Sequence, residues 1–279
     1  MRAFEEYRSM PSEFWALIKL VSETLGYTSR EHKVSTYTIS ELEHLFKYYN
    51  MSIDDQLIAD VKNYCDYRAD ILNNFVRLRL MDKETAQSYF ENIYSCYFIK
   101  EDLKCKIPMN KQKGDMKTVN YFTAIINMLT EMTIKDSSGY NETLGFDDDP
   151  RGLVYVWDRK NNVIGASSRR FDGAYPSIVN PRVVWEIKEY YYSTTFGSRV
   201  ADGVYETQLD GHEFLEIANR TGYKITHVFF IDGYRTWWLQ GKPYLCRIVD
   251  MLNSGLVDEV IFGEEVFERW PALLSEFID

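Results

Sequence analysis

The sequence is poor in the residues that build disulfide frameworks and zinc or histidine metal centres. Its 279 residues include only four cysteines and four histidines. Neither type shows the spacing of a metal site, and no Cys-x-x-Cys pair occurs among Cys65, Cys96, Cys105 and Cys246. We therefore expect four reduced cysteines, mostly buried, with no disulfide framework and no zinc site.

Long apolar runs are also missing from the sequence. No run approaches the ~20 residues that a membrane-spanning helix needs. The first six residues carry two acids where a secretory signal would be basic and then apolar. We therefore expect a soluble, cytoplasmic protein with no membrane association, and its 45% hydrophobic content is ample for a sizeable core.

Several common nucleotide and hydrolase motifs are absent as well. The chain has no Gly-x-x-x-x-Gly-Lys phosphate loop, no Gly-x-Gly-x-x-Gly turn and no Gly-x-Ser-x-Gly elbow. The net charge of -10 argues against a protein that coats nucleic acid through a generally basic surface. A local basic cleft is still compatible with this charge, because six lysines fall between residues 100 and 117.

The pattern that is present divides the chain into three parts. Residues 1–105 carry apolar residues at helical spacing and form an N-terminal helical region. Residues 106–117 are a basic linker, and residues 118–279 form a second domain. Expected helix starts in the first part are Ser40 with Glu43 at the capping-box position, Ser52 or Asp54, and Asp82.

From residue 118 onward, helical and extended patterns alternate. The expected order is helix, three strands, helix, strand, helix, strand and helix. The two late strands are short apolar runs, at residues 225–231 and 257–262, separated by a helix. This order predicts an α/β (α+β) fold with a mixed central sheet flanked by helices, in which the late strands are parallel.

One strand carries residues that are suited to phosphodiester chemistry. Residues 182–189 form an apolar strand in which Glu186 and Lys188 share one face, while Trp185 and Ile187 point to the other. Asp172 lies fourteen positions before Glu186, which is far enough for the chain to turn at an Asn-Pro pair and return beside it. Paired carboxylates can hold a divalent metal, and an adjacent amine can bind the attacking water.

This Asp…Glu-x-Lys pattern and the element order resemble the PD-(D/E)xK nuclease superfamily, which includes many type II restriction endonucleases. The resemblance covers residues 118–262 and implies a restriction-endonuclease-like core. It implies that Asp172 and Glu186 are metal ligands and that Lys188 orients the catalytic water. The backbone carbonyl of Ile187 would be a further ligand.

Two features of the site stay open at this stage. Asp158 is a second acid near a strand end and competes with Asp172 for the role of metal aspartate, although Asp172 is favoured. Glu131, on the preceding helix, matches the position where some relatives carry an acid for a second metal. The residue before Asp172 is Phe171 rather than proline, a departure that the family tolerates.

The resemblance implies a Mg²⁺-dependent endonuclease, with Mn²⁺ able to substitute, that acts on double-stranded DNA. A sequence-specific type II restriction enzyme is the favoured kind, and a palindromic target would imply a homodimer. One alternative is a nonspecific or messenger-gated defence or repair nuclease of the same fold; another is a non-catalytic DNA-binding protein. The candidate DNA contacts are Arg169, Arg170, Ser198, Arg199, Arg235, Lys111 and Lys113.

Overall fold

A four-stranded mixed sheet is the centre of the fold. The structure is a computed structural model that describes residues 1–29, 31–110, 118–138, 144–191 and 197–278. Within these residues the strands are β1 Tyr155–Trp157, β2 Val163–Ala166, β3 Gly173–Tyr175, β4 Val183–Lys188, β5 Thr226–Ile231 and β6 Glu259–Phe262. The sheet order is β3-β4-β5-β6, with β3 antiparallel to β4 and the other strands parallel. The fold is therefore mixed α/β, and the predicted parallel pairing of the two late strands is confirmed.

Helices form the first part of the chain and cover the sheet in the second part. Within the described residues they are α1 Glu5–Arg8, α2 Ser12–Leu25, α3 Ile39–Tyr48, α4 Asp55–Asp70, α5 Arg77–Arg79, α6 Lys83–Ile93, α7 Tyr121–Ser138, α8 Ser198–Thr221, α9 Lys242–Asn253 and α10 Val266–Ser275. A wider π-helical stretch, Ile71–Val76, joins α4 to α5. A second such stretch, Tyr94–Phe98, extends α6.

Side-chain caps set the start of several N-terminal helices. Asp54 caps α4 and Asp82 caps α6, as predicted. For α3 the predicted cap at Ser40 is wrong, because Thr38 is the N-cap and forms a capping box with Glu41. Both positions satisfy the same Ser/Thr-x-x-Glu spacing, so the motif alone does not distinguish them.

The pair β1 and β2 forms its own antiparallel sheet beside the central one. A single bridge between Tyr155 and Val179 attaches β1 to the segment that follows β3. Val163 and Ile164 of β2 are 56% and 41% exposed, so β2 lacks the two buried faces of an interior strand. The sequence pattern predicts both strands but not this separate pairing.

The alternation along β4 directs its side chains to two different helical layers. Trp185 and Ile187 pack in a core cluster with α7 and α10. Val184, one residue out of phase, packs with α8. Glu186 and Lys188 share the phase of Val184 and so lie on the α8 side of the sheet, as the alternating pattern predicts.

The N-terminal helices pack directly against the second part of the chain. Leu72 and Val76 share a core cluster with β5, β6 and α9. Arg68 of α4 is fully buried and pairs with Asp250 of α9 at 2.9 Å. Helix α6 packs in the cluster of α7 and α10, so the domain boundary expected near residue 105 falls after a helix that belongs to the core of the second part.

Two findings bear on the expectations from composition. Cys65, Cys105 and Cys246 are buried and Cys96 is exposed, and all four are free thiols, as expected. Across the described segments, no helix has both the length and the apolar character that crossing a bilayer requires.

Candidate active site

Asp172 lies directly beside β4, one residue before β3 begins. Its amide donates to the carbonyl of Trp185 at 3.0 Å, and one of its carboxylate oxygens accepts from the amide of Ile187 at 2.7 Å. These two bonds join Asp172 to Trp185 and Ile187, the residues on either side of Glu186 in β4. The predicted return of the chain therefore brings Asp172 and Glu186 to neighbouring positions at one end of the sheet.

Asp158, the alternative aspartate, lies in a different part of the fold. It is in the turn between β1 and β2, where its carboxylate accepts hydrogen bonds from the backbone and side chain of Asn162 and from the amide of Lys160. The Asn162 side chain and these amides hold its pKa below the ordinary range. The geometry thus makes Asp172, rather than Asp158, the neighbour of Glu186.

Glu186 is the centre of a buried network of charges. Its Oε1 is 2.5 Å from the Nζ of Lys188, and its Oε2 is 3.1 Å from a guanidinium nitrogen of Arg169. The same guanidinium donates to both carboxylate oxygens of Asp210 on α8, at 2.8 to 3.0 Å. Burial alone would lower the pKa of Arg169, but Glu186 and Asp210 together hold it above its ordinary value. Arg169, predicted to contact DNA, is therefore engaged with protein carboxylates.

Helix α8 approaches the site closely because it carries a glycine there. A Cβ at Gly203 would lie 2.8 Å from the Cε of Lys188 and 3.1 Å from the hydroxyl of Tyr190. The Lys188 side chain passes through the space that this missing Cβ leaves. Its Nζ also lies 3.8 Å from a carboxylate oxygen of Glu206, one turn further along α8.

A cleft of about 730 Å³ opens above the end of β4. Asp172, Glu186 and Lys188 line it together with residues 106–110, which form one wall of the cleft. Further lining residues are Asn120, Thr123, Asp148, Asp149, Glu189, Tyr190 and Arg199. The cleft gives the three predicted catalytic side chains access to a substrate.

Buried carboxylates of the second part hold the wall in place. Glu131 on α7 accepts hydrogen bonds from the amides of Lys104 and Cys105 and pairs with Lys135 at 3.0 Å. Asp148 accepts from the amide of Lys106 at 2.6 Å. The carboxylate of Glu131, a candidate ligand for a second metal from the sequence, is thus committed to the backbone that precedes the wall.

The electrostatic environment of Asp172 is unusual for an aspartate that lines a cleft. Burial, reinforced by the charge of Glu186, raises the pKa of Asp172 to about 7. Burial likewise raises the pKa of Asp210 to about 6, although Arg169 opposes this. The site therefore concentrates negative charge that its two cations neutralise only in part.

The donor set at this position suits a hard divalent cation. Mg²⁺ commonly takes one or two carboxylates from a protein and completes its shell with water and phosphate oxygens. Asp172 and Glu186 supply such oxygens, and a cation between them would relieve the repulsion that raises the pKa of Asp172. Within the described residues, no group of three or more His, Cys, Asp or Glu side chains is arranged to hold a metal ion. Any metal here would therefore rest on this pair of carboxylates.

Comparison with known proteins gives a family without a described function. Residues 81–277 match the family described as Domain of unknown function (DUF7687). The chain belongs to the DUF7687 family. Residues 1–75 match a second family, described as Domain of unknown function (DUF7690). No curated protein and no solved structure matches the chain.

The DUF7687 region contains two further acids near the site, half-buried Glu189 and buried Asp232, to which the sequence pattern assigned no role. Glu189 accepts hydrogen bonds from the amide and the hydroxyl of Thr123 at 2.9 and 2.8 Å. Asp232 accepts from the amide of Tyr190 and from the indole of Trp237. Burial raises the pKa of Glu189 to about 8 and that of Asp232 to about 7. Each of these acids directly follows a parallel strand, at the edge of the sheet where the functional sites of open α/β sheets usually lie. This position is the sequence signal that could have identified them.

The basic residues predicted to contact DNA have different placements in this DUF7687 member. Arg199 is exposed and lines the cleft. Arg170 is exposed close to Arg169, and Arg235 is exposed on the π-helical turn that follows β5. The cleft also contains Lys106, which the sequence did not single out and which pairs with Asp148 at 3.0 Å. Lys111, Lys113 and the side chain of Ser198 lie outside the described residues.

Proposed function

We propose that this protein is a Mg²⁺-dependent endonuclease of PD-(D/E)xK type that hydrolyses phosphodiester bonds of double-stranded DNA. The observation that carries the proposal is the meeting of Asp172 and Glu186 beside an ion-paired Lys188 in an open cleft. The three residue types came from a pattern in the sequence, and the fold brings Asp172, just before β3, beside Glu186 and Lys188 of β4.

The strand arrangement supports the same proposal. A helix, α7, precedes an antiparallel pair, β3 and β4, and β5 then adds in parallel to β4 after the crossover helix α8. This arrangement resembles the α-β-β-β-α-β core of PD-(D/E)xK nucleases, although β1 and β2, which follow α7, form a small sheet of their own. The additional parallel strand β6 extends the sheet on the far side from β3.

Asp172 and Glu186 would hold the Mg²⁺ ion, or Mn²⁺ in its place, with the backbone carbonyl of Ile187 as a candidate third ligand. The bound metal would stabilise charge on the phosphate oxygens and on the leaving oxygen. Lys188 would donate a hydrogen bond to the attacking water and stabilise developing negative charge. Arg169, fixed by Asp210, would orient Glu186 from the side opposite Lys188.

We further propose that cleavage is sequence-specific, in the manner of a type II restriction enzyme, with the N-terminal helices as a source of additional DNA contacts. A homodimer would then match a palindromic target. A nonspecific or messenger-gated nuclease of the same fold is the alternative. A DNA-binding protein without catalytic activity is the second alternative. Discrete cleavage products would indicate a sequence-specific enzyme, whereas a smear of products would indicate a nonspecific nuclease.

The test is incubation of the full chain with long mixed-sequence double-stranded DNA and Mg²⁺ or Mn²⁺, followed by sequencing of the ends. Wild type should cut, whereas Asp172→Asn, Glu186→Gln and Lys188→Ala should lose roughly 10²–10⁴-fold in rate. Asp158→Asn is the matched control and should cut normally, because this acid lies in the β1–β2 turn. Full activity in all three site variants would overturn the proposal. Absence of cleavage by wild type with either metal would favour the non-catalytic alternative.

A further inference from the structure

Asn120 occupies the position that normally caps helix α7. It directly precedes the first residue of the helix, Tyr121, and its carbonyl accepts the amide of Ala124 at 2.9 Å, as the first bond of a helix requires. In this position an asparagine side chain ordinarily accepts a hydrogen bond from the amide two or three residues later. Here that amide belongs to Thr123.

Glu189 has taken over this capping role. Its Oε2 accepts from both the amide and the hydroxyl of Thr123, at 2.9 and 2.8 Å. Glu189 reaches the helix from the end of β4, directly after the catalytic Lys188. The carboxamide of Asn120 is therefore left without a hydrogen-bond partner among the described residues, although it lines the cleft.

The backbone around Asn120 is fixed independently of that side chain. The amide of Asn120 donates to the carbonyl of Pro108 at 2.8 Å, and Met109 forms an antiparallel bridge with Val119. The Asn120 carboxamide is thus presented next to Pro108 and Met109, which line the same cleft as half-buried apolar residues. A flat apolar surface beside a polar edge is the combination that a nucleobase needs.

A carboxamide has a property that the cations and carboxylates of the cleft lack. It offers a donor and an acceptor at once, whereas Arg199 and Lys188 offer only donors, and the ionised carboxylates only acceptors. The cleft also contains the carboxamide of Asn110, which is only 4% exposed, whereas Asn120 is half-buried. Phosphate oxygens require only donors, which the cations supply. Among major-groove base edges, adenine presents the matching donor and acceptor pair that asparagine reads in two hydrogen bonds.

We propose that Asn120 is a specificity-determining residue, whose carboxamide reads an adenine next to the cleaved phosphodiester while the base packs on Pro108 and Met109. This inference rests on the proposed nuclease function and adds the base that the site selects. Glu189 is a positioning residue in this scheme, because it caps α7 and so releases Asn120 for the substrate.

The first arm of the test is thermal and does not depend on activity. Asn120→Ala should leave the Tm within about 1 °C of wild type, because its side chain does not cap the helix. Glu189→Ala should lower the Tm by about 2–4 °C or more, the usual effect of a lost cap in a chain of this size. A Tm loss in Asn120→Ala equal to that in Glu189→Ala would overturn the proposal.

The second arm digests a random-sequence double-stranded DNA library with Mg²⁺ and sequences the ends. Wild type should show adenine enriched at one fixed offset from the cut. Asn120→Ala should reduce this enrichment by about 10-fold or more, the discrimination of a two-bond base contact. Asn120→Asp should shift the preference towards cytosine, whose amino group donates to a carboxylate. Asn92→Ala, an exposed asparagine of α6, is the matched control and should resemble wild type.

The outcomes separate the two proposals. If wild type cuts and both Asn120 variants give the same base preference as wild type, the assignment of Asn120 is overturned and the nuclease proposal stands. Complete loss of cleavage in folded Asn120→Ala would also overturn it, because Asn120 would then be needed for the reaction itself. If wild type does not cut at all, the nuclease proposal fails, and this inference fails with it.

Discussion

The ammonium of Lys188 and the carboxylate of Glu186 lie 2.5 Å apart, and both residues are more than nine-tenths buried. Two residues of one strand thus neutralise each other on the α8 side of the sheet. Removing either charge alone leaves its buried partner with a single, more distant counter-charge, Arg169 at 3.1 Å from Glu186 or Glu206 at 3.8 Å from Lys188. This is more costly than removing both charges.

This pairing predicts a non-additive effect on stability. Lys188→Met and Glu186→Gln should each lower the free energy of unfolding by about 1–3 kcal/mol, and the double variant should lose less than their sum. Urea denaturation of the four proteins measures the coupling, which we expect to be about 0.5–3 kcal/mol. The exposed Glu216–Arg220 pair of α8 is the control, with coupling below about 0.5 kcal/mol. Additive effects at Lys188 and Glu186 would contradict the pairing.

The raised pKa of Asp172 predicts a pH-dependent contribution to stability. Its ordinary value is 3.8 and its value in the folded protein is about 7, so between these values the folded protein holds a proton that the unfolded chain has released. The contribution is fully present below about pH 4 and is lost as the pH rises through 7, a change of at most about 4 kcal/mol.

Comparison with Asp172→Asn isolates this effect from the other carboxyl groups. In metal-free buffer, the unfolding free energy of wild type minus that of Asp172→Asn should fall from pH 4 to pH 7.5 in urea titrations. The same comparison with Asp158→Asn should not show this fall, because hydrogen bonds from Asn162 and Lys160 lower the pKa of Asp158. A flat difference across the range for Asp172→Asn would show that its carboxyl group titrates normally.

Metal binding should stabilise the protein through the same carboxylate. At a Mg²⁺ concentration of about 100 times Kd, the folded state should gain about 2.7 kcal/mol, seen as a rise in Tm at pH 7.5. The rise should be smaller at pH 5.5, where Asp172 holds a proton that competes with the metal. Asp172→Asn and Glu186→Gln should abolish it, whereas Asp158→Asn should keep it. An equal rise in all four proteins would place the metal elsewhere.

The close approach of α8 predicts that a single methyl group disturbs the site. Gly203→Ala puts a Cβ 2.8 Å from the Cε of Lys188, so the helix or the lysine must move. We expect a loss of about 1–3 kcal/mol in stability and a lower cleavage rate. Gly197→Ala is the matched control, since no heavy atom of the described residues lies within 4 Å of its Cβ position and its backbone is extended. Wild-type behaviour of Gly203→Ala would mean that α8 shifts without cost to the site.

Local signals in the sequence predicted the elements that carry the site. The alternation along β4 correctly placed Glu186 and Lys188 on one face of the strand, on the side of α8. The return of Asp172 to β4 also followed from chain length and a turn signal. These inferences succeeded because each depends on residues close in sequence.

Interactions between distant segments could not be predicted in the same way. Arg169 reads as a free basic residue in the sequence, and only the packing of α8 shows that it is held by Asp210, 41 positions later. Glu189 caps a helix that begins 68 residues before it. The separate pairing of β1 and β2 depends on exposure, which two short apolar patterns do not reveal.

The π-helical segment Ile71–Val76 limits how the two regions of the chain can be exchanged between related proteins. It carries α4 into α5 across residue 75, where the DUF7690 match ends, and the DUF7687 match begins at residue 81. Its Leu72 and Val76 are buried against the sheet. A recombination event at this junction would exchange part of the layer that covers β5 and β6. Hybrids of two related chains should therefore fold only where the incoming helix packs well against the sheet that it covers. We accordingly expect the two regions to have evolved together.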